Sequence, residues 1–437
     1  MNYLKTAPTV TEIFAGKYDE QKVVLKGWLH HIRSSGGILF LQFRDGTGLI
    51  QCTLKKDKVE PQEFERLRAI PIESTVEISG EVKKDPRAPR GYEISSEKVT
   101  ILYRAEDEYP IAKKYHGPDF LLDTRHLWIR DPKMQAIMRI RGRMIDEFRR
   151  WLIDRGFLEV QMPILVTAAV EGGSTLFEVK YFDQKAYLTQ SWQLYAEAML
   201  ASVGKIFTLA PSFRAEKSRT RRHLTEYWHL EVEEPWMDLE GLMQLEEELV
   251  SHVCQRIREE MPEELKLVGR DPEQLAAVKP PFSRITYDEA VNLVQKSRPD
   301  FKWGIDLGFE EEKVVTEGFE IPFFVHRFPK SVKAFYHMPD PKNPKVTLSA
   351  DLLAPEGYGE ITGGGQRIHD LKQLLARIDE ESLKAEDYSW YVDLRRYGTV
   401  PHSGFGMGIE RTLTWMCKLE HIRDAIAFPR LINRLRP

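Results

Sequence analysis

The chain has 437 residues, 42% hydrophobic and 30% charged, enough for two or three domains with real cores and a composition typical of soluble globular proteins. No apolar run approaches a membrane span, Met1-Asn2-Tyr3-Leu4-Lys5 lacks a basic-then-apolar signal pattern, and Cys52, Cys254 and Cys417 are far apart with no CxxC. These features argue against a membrane partner, a disulfide framework and a zinc site, and they fit a reducing cytoplasm. The net charge of −4 carries no global nucleic-acid signal, but residues 1–105 hold 17 Lys plus Arg against 14 Asp plus Glu, so a mildly basic part precedes an acidic remainder.

In chain order, period-two alternation predicts five short strands, at Lys22–Leu29, Ile38–Arg44, Gly48–Leu54, Thr75–Val82 and Tyr92–Leu102. Gly36-Gly37 and Asp45-Gly46 are hairpin-type breaks, and a helical insert is expected near Pro61–Ala69. Five such strands suggest a small Greek-key barrel of the OB-fold type, which binds single strands by stacking bases on exposed aromatics beside basic side chains. Phe40 and Gln51 fall on neighbouring strands with Arg33 just before the Gly-Gly turn; Phe40 reads equally well as a core residue. The run Lys83 to Arg90 is the most basic short segment and suits either a phosphate contact or a solvated hairpin tip.

Prolines and an acidic cluster mark residues 105–131 as a hinge. A helix follows from about Lys133 to Arg155, with Ile137, Ile140, Met144, Phe148 and Leu152 on one stripe and Gly156 as its stop, and then an extended segment ends at Pro163. Phe213-Arg214-Ala215-Glu216 and His223-Leu224-Thr225-Glu226-Tyr227 read as two strands joined by a basic loop, with charged side chains aimed at something anionic. Residues 237–300 carry helical periodicity, with Leu242, Leu245, Leu249 and Val253 on one stripe, and strands are expected to return at Pro322–Val325 and Lys333–Tyr336. The glycine-rich stretches 363–365 and 404–408 lack both the GK[ST] ending of a P-loop and dinucleotide-fold surroundings.

Pro163 after a long helix, Arg214 to Glu216 with His223 to Tyr227, and Gly404-Phe405-Gly406-Met407-Gly408-Ile409-Glu410-Arg411 stand in the order of three motifs. That ordered set resembles the class II aminoacyl-tRNA synthetases. The run Gly27-Trp28-Leu29, Arg33, Phe40 and Arg44 to Gln51 is similar to the anticodon-binding barrel of their aspartate/asparagine/lysine subgroup. The resemblance implies an α+β chain: an OB-fold at 1–104, a hinge at 105–131 and a class II antiparallel-sheet catalytic domain with helices at 132–437. Motif 1 would lie near 133–163, motif 2 near 210–233 and motif 3 near 402–415. It further implies a homodimer built on motif 1.

The site residues implied follow from the chemistry. Joining a carboxylate to the α-phosphate of ATP brings two anions together, so cationic clamping and positioning matter more than a general base. By resemblance Arg214 takes the α-phosphate, Tyr227 and Arg411 sandwich the adenine, and Glu216 and His223 stand around the adenine and outer phosphates. Asp351 and Glu360 match acids that hold Mg2+, and Arg214, Glu360 and Arg411 form the catalytic set. Arg33, Phe40 and Gln51 match residues contacting the central anticodon base.

For the amino acid, Arg367 points at the substrate side chain, while Ser191, Gln193 and Glu171 are candidates for holding the α-ammonium and closing the site. In Ser191-Trp192-Gln193-Leu194-Tyr195-Ala196-Glu197, Ala196 stands where aspartate enzymes carry a lysine, and Glu231 could accept from a side-chain amide. The implied activity is ATP-dependent ligation of asparagine to tRNA(Asn) through an adenylate, releasing AMP and pyrophosphate. An aspartate enzyme of relaxed specificity, an asparagine synthetase-like paralogue and a pure RNA-binding module are the alternatives.

Overall fold

The structure, a computed structural model, describes residues 7–111, 113–167, 170, 175–217 and 220–437. It divides into two compact units, Met1–Phe120 and Leu121–Pro437, a boundary inside the 105–131 stretch. Just beyond it, Arg125 is buried and donates to the backbone carbonyls of Arg423, Ile426 and Ala427, which ties this stretch to the end of the larger unit.

In the smaller unit β1 (Lys22–Ser35), β2 (Ile38–Arg44), β3 (Leu49–Lys55), β4 (Thr75–Lys84) and β5 (Tyr92–Tyr103) close a barrel in the order β1-β2-β3-β5-β4. Alternate residues Leu39, Leu41, Phe43 and Ile50, Cys52, Leu54 fill its interior, each larger apolar side chain contributing about 2 kcal/mol. β1 runs six residues past the expected end at Leu29, because a bulge between Leu29 and His31 lets it pair first with β4 and then with β2. The tight turn that follows needs Gly36 and Gly37, whose φ values are +57° and +76°. The insert helix spans Pro61–Arg68.

The strands of the larger unit start with the short β6 (Leu158–Glu159) and β7 (Leu165–Val166), then β8 (Glu178–Tyr181) and β9 (Gln184–Leu188). β10 (Ile206–Phe213), β11 (Glu226–Pro235), β12 (Arg284–Thr286) and β13 (Phe323–His326) follow, then the ribbon β14 (Pro339–Asp340) and β15 (Asn343–Thr347), and last β16 (Ser349–Ala354), β17 (Gly359–Gln366) and β18 (His402–Gly408). Eight of them form one sheet, ordered β12-β13-β16-β17-β18-β11-β10-β6; its six central strands are antiparallel and its two end pairings parallel.

Helices Pro132–Asp154, Leu239–Glu260 and Ile409–Met416 contribute to the core on one face of this sheet, where Met144, Phe148, Leu242, Leu249 and Leu413 meet Leu230, Val232, Leu352, Phe405 and Met407. Asp131 caps the first helix by accepting from the Lys133 N–H, with Pro132 at its first position. The expected strand at Lys333–Tyr336 is instead a turn, closed by the His337 N–H donating to the Ala334 carbonyl. No helix of the described residues is long and apolar enough to cross a membrane.

Candidate active site

The sheet's other face carries the polar side chains, and period two explains which ones. On β11 the even residues Leu230 and Val232 enter the core, so Tyr227, His229, Glu231 and Glu233 share the opposite face. Antiparallel pairing sets Gly404, Gly406 and Gly408 of β18 beside Glu233, Glu231 and His229. A methyl group on Gly404 would overlap the Glu233 carboxylate, and one on Gly406 would stand 2.7 Å from His229 Nε2. These glycines therefore clear space for the acids and imidazole of β11. Above this face lies a cleft of about 610 Å³ lined by Arg214, His229, Glu231, Asp351, Glu360 and Arg367 among others. A smaller chamber of about 60 Å³, lined by Arg222, His223, Tyr227, Gly408 and Arg411, shares Arg214, His229, Glu360 and Gly406 with it.

At the small-chamber end Arg214 and Glu216 lie just past β10 in the connecting loop rather than on a strand, and the Arg214 N–H donates to the Thr225 carbonyl at 3.0 Å. The Arg214 guanidinium carbon stands 5.9 Å from the centre of the Tyr227 ring. Arg411 Nη1 donates to Glu360 Oε2 at 2.8 Å. Burial opposes ionisation of Glu360, but Arg411, Lys333, Arg222 and Arg214 overcome it and hold its carboxyl down at about 2. Arg222 pairs with Glu312 and donates to the Glu360 carbonyl at 3.0 Å, while Glu312 accepts the Glu360 N–H at 2.9 Å. His223 contacts Thr220 and stands 3.5 Å from Glu216; burial and Arg411 hold its imidazole below the ordinary value. Burial and Arg214 push His229 down to about 3, so it is neutral. Glu410 ties β11 to the helix Pro132–Asp154 by accepting the Trp228 N–H at 2.9 Å and pairing with Arg141 at 2.7 Å.

At the other end Arg367 is almost fully buried. Its Nε and Nη2 donate to the two oxygens of Glu233 at 3.0 and 3.2 Å, Nη2 also donates to Gln193 Oε1 at 2.7 Å, and Nη1 lies 3.3 Å from His337 Nε2. Because a guanidinium only donates, His337 Nε2 is the acceptor, and burial beside Arg367 holds that imidazole well below its ordinary value. Despite the cost of burial, Glu233 keeps Arg367 above the ordinary arginine value. Ser191 donates its hydroxyl to Glu231, which also accepts the Trp192 N–H at 3.2 Å. Ala196 packs among Val160, Trp192, Leu200 and Ile206. Glu171 lies outside the described residues.

Between the two ends Asp351 Oδ1 and Glu360 Oε1 each lie 3.3 Å from the point where a side chain on Gly363 would begin. Two carboxylate oxygens converging over a glycine are the hard donor set that Mg2+ takes, so these residues fit that ion. Lys333 already brings a cation there, its Nζ 2.7 Å from both oxygens of Asp351. Burial and Glu360 push the Asp351 carboxyl above its ordinary range against the pull of Lys333.

On the barrel, Phe40 is half-buried and outward-facing, with the Arg33 guanidinium 4.2 Å above its ring. Gln51 faces the same way and donates to Glu93 at 3.0 Å. The structure thus gathers Ser191, Gln193, Arg214, Glu231, Asp351, Glu360 and Arg367 in one cleft, places His223, Tyr227 and Arg411 in the adjoining chamber, and sets Arg33 beside Phe40 with Gln51 on the same barrel face. Sequence reasoning singled out no role for Glu233, Lys333, His337, Arg222 or Glu312; Glu233, two residues beyond Glu231 on an alternating strand, and Arg222, in the basic loop before His223, had a local signal.

Residues 117–432 match the family described as tRNA synthetases class II (D, K and N), and residues 23–102 match the OB-fold nucleic acid binding domain. Asparagine–tRNA ligase of Symbiobacterium thermophilum is 51% identical over 428 residues, covering 96% of this chain and 98% of the relative. That of Thermococcus kodakarensis is 51% identical over 418 residues, covering 95% of this chain and 96% of its own length. The crystal structure of asparaginyl-tRNA synthetase from Pyrococcus horikoshii complexed with asparaginyl-adenylate superposes with a TM-score of 0.94 at 49% identity, over 99% of this chain and 100% of that one.

Proposed function

The chain belongs to the class II tRNA synthetases of the D, K and N group, alongside asparagine–tRNA ligases, and on that footing we propose how its residues divide the work. The activity is ATP-dependent ligation of asparagine to tRNA(Asn). The asparagine carboxylate attacks the α-phosphorus and pyrophosphate leaves; a terminal ribose hydroxyl of the tRNA then attacks the acyl carbon and AMP leaves. Adenine lies between Tyr227 and the Arg411 guanidinium, and Arg214 meets the α-phosphate. The substrate's side-chain carbonyl accepts a hydrogen bond from Arg367 and its amide donates one to Glu231. Glu171, Ser191 and Gln193 complete the amino-acid pocket, and Glu216 with His223 flanks the outer phosphates. Asp351 and Glu360 would hold Mg2+, which supplies charge neutralisation for the phosphates when bound. Neutral His229 and paired Arg367 leave the side-chain pocket with little excess positive charge, which favours an amide over a carboxylate.

The observation that carries this reading is the run of alternate residues Tyr227, His229, Glu231 and Glu233, which joins the chamber beside Tyr227 and Arg411 to a guanidinium-and-acid pocket along a single strand face. The barrel face of Arg33, Phe40 and Gln51 supports anticodon reading, and the exposed apolar Ile153, Leu158, Ile164 and Leu165 around motif 1 support a homodimer. Three buried cysteines, whose thiols burial pushes upward, suit a reducing cytoplasm.

Amino-acid-dependent ATP–pyrophosphate exchange without tRNA tests the proposal. Exchange with asparagine and none with aspartate is expected. Exchange with aspartate would move the assignment to a relaxed aspartate enzyme, and exchange with neither would leave a paralogue sharing the fold.

A further inference from the structure

Glu197 lies beneath the amino-acid pocket, its carboxylate almost wholly buried, and nothing in the proposed chemistry uses it. It is nonetheless heavily bonded. Its Oε1 accepts from Gln193 Nε2 at 3.0 Å and from the Tyr391 hydroxyl at 2.8 Å, while Oε2 pairs with Arg395 and stands 3.0 Å from His402 Nε2. Glu197, Glu233 and His402 bring one potential ligand atom each within 4.8 Å of one another, a metal-like cluster. The guanidinium of Arg395 on Glu197 and that of Arg367 on Glu233 already supply the positive charge, so the cluster has no need of an ion.

Three routes lead from Glu197 to Arg367. Gln193 offers its Nε2 to Glu197 and Glu233 and its Oε1 to Arg367 Nη2, so the two acids decide which end of the amide faces the guanidinium. Arg395, oriented by Glu197, donates from Nε and Nη2 to the carbonyl of Ile368 at 2.8 and 2.7 Å, fixing the backbone one residue beyond Arg367. His402, the third neighbour, accepts the Arg367 N–H on its own carbonyl at 2.9 Å. All of these groups are buried. We infer that Glu197 is a positioning residue for amino-acid selection: caged by Arg395, Tyr391 and His402, it sets the Gln193 amide and the Arg367 backbone so that Arg367 meets the substrate's side-chain carbonyl. This inference rests on the functional reading above, and it adds a specificity element that touches no substrate.

The test uses the full-length protein with Glu197→Gln and Tyr391→Phe in the exchange assay, alongside thermal unfolding of each. Glu197→Gln should raise the asparagine KM about tenfold, the weight of one hydrogen bond to a charged group, with the ATP KM within about twofold of the parent. Its preference for asparagine over aspartate should narrow as well. Tyr391→Phe removes one donor to Glu197 and leaves the ion pair; the expected rise in asparagine KM is about threefold. A purely structural role would lower the unfolding midpoint and leave both KM values unchanged. If Glu197→Gln does not fold, Tyr391→Phe decides. An asparagine KM unchanged in the folded variants overturns the positioning role alone, whereas a parent protein with no asparagine-dependent exchange overturns it together with the functional reading.

Discussion

The barrel face around Phe40 and the Arg367 end of the cleft, the two recognition surfaces proposed above, are built on opposite designs. On the barrel, Phe40 and Gln51 are outward side chains whose closest polar or cationic neighbours are Arg33 and Glu93, on the same surface. At the amino-acid end Arg367, Glu233, Gln193 and Glu197 are buried, and each bonds at least two others of the group or their cage. A surface that receives a large, deformable partner can be assembled from nearly independent contacts. A pocket that separates an amide from a carboxylate of the same shape cannot, because the difference lies in a single hydrogen-bond pattern held at low dielectric. Change is expected to stay local on the barrel and to spread in the pocket.

The strongest way to break that contrast is Arg367→Ala. It is expected to reduce asparagine-dependent exchange by about a thousandfold or more and to leave Glu233 as an uncompensated buried charge, at a cost of about 3–5 kcal/mol in stability. Steady-state kinetics with denaturant unfolding would measure both. A variant that unfolds like the parent would mean that the pocket is not the coupled unit described. Phe40→Ala should lower kcat/KM for tRNA charging by about tenfold to a hundredfold, through loss of base stacking, while adenylate formation stays nearly unchanged. Equal loss of both activities would undo the division of labour between the two units.

The sharpest small effect comes from Glu246, buried under β17 with the Thr362 hydroxyl bonded to it, where burial raises its carboxyl to about 8 from 4.5. Unfolded, it ionises above about pH 4.5, so the folded state loses stability as pH climbs from there toward 8, at up to about 1.4 kcal/mol per pH unit. Glu246→Gln removes that dependence. Its unfolding midpoint should exceed the parent's by about 5–7 °C at pH 8 and converge on it near pH 5; a constant difference would show that Glu246 does not stay protonated.

What the sequence made legible was whatever repeats at short range. Alternation predicted the strand Ile38–Arg44, whose inward residues are Leu39, Leu41 and Phe43 although the side taken by Phe40 stayed open, and the helical stripe from Ile137 to Leu152 is buried throughout. The β1 bulge was not legible, because an extra residue at His30 looks the same as the end of an alternating run. Nor were the partners that complete the cleft. Lys333 reaches Asp351 across 18 residues, Arg222 reaches Glu312 across 90, and Arg367 reaches Glu233 across 134. Such pairs exist only once the sheet order is set, and no local periodicity records that order. Lys333 was hidden further by its setting, a turn whose flanking aromatics read as a strand.

The glycines at 404, 406 and 408 have one more consequence. They span roughly 13 Å of strand, at about 3.3 Å per residue, bear no side chains of their own, and are overlain by the Glu233 carboxylate and the His229 imidazole, which the fold already holds in place. A bound adenylate therefore freezes no side-chain rotamers there, and ordering the rotamers of a flexible side chain on binding costs about 0.5–1.5 kcal/mol each. Conformational entropy is lost in the walls, where Arg214, Lys333 and Arg411 have several torsions each, and not in the floor. On the proposed roles, the entropic part of adenylate affinity depends on how far those long side chains are already ordered before it arrives.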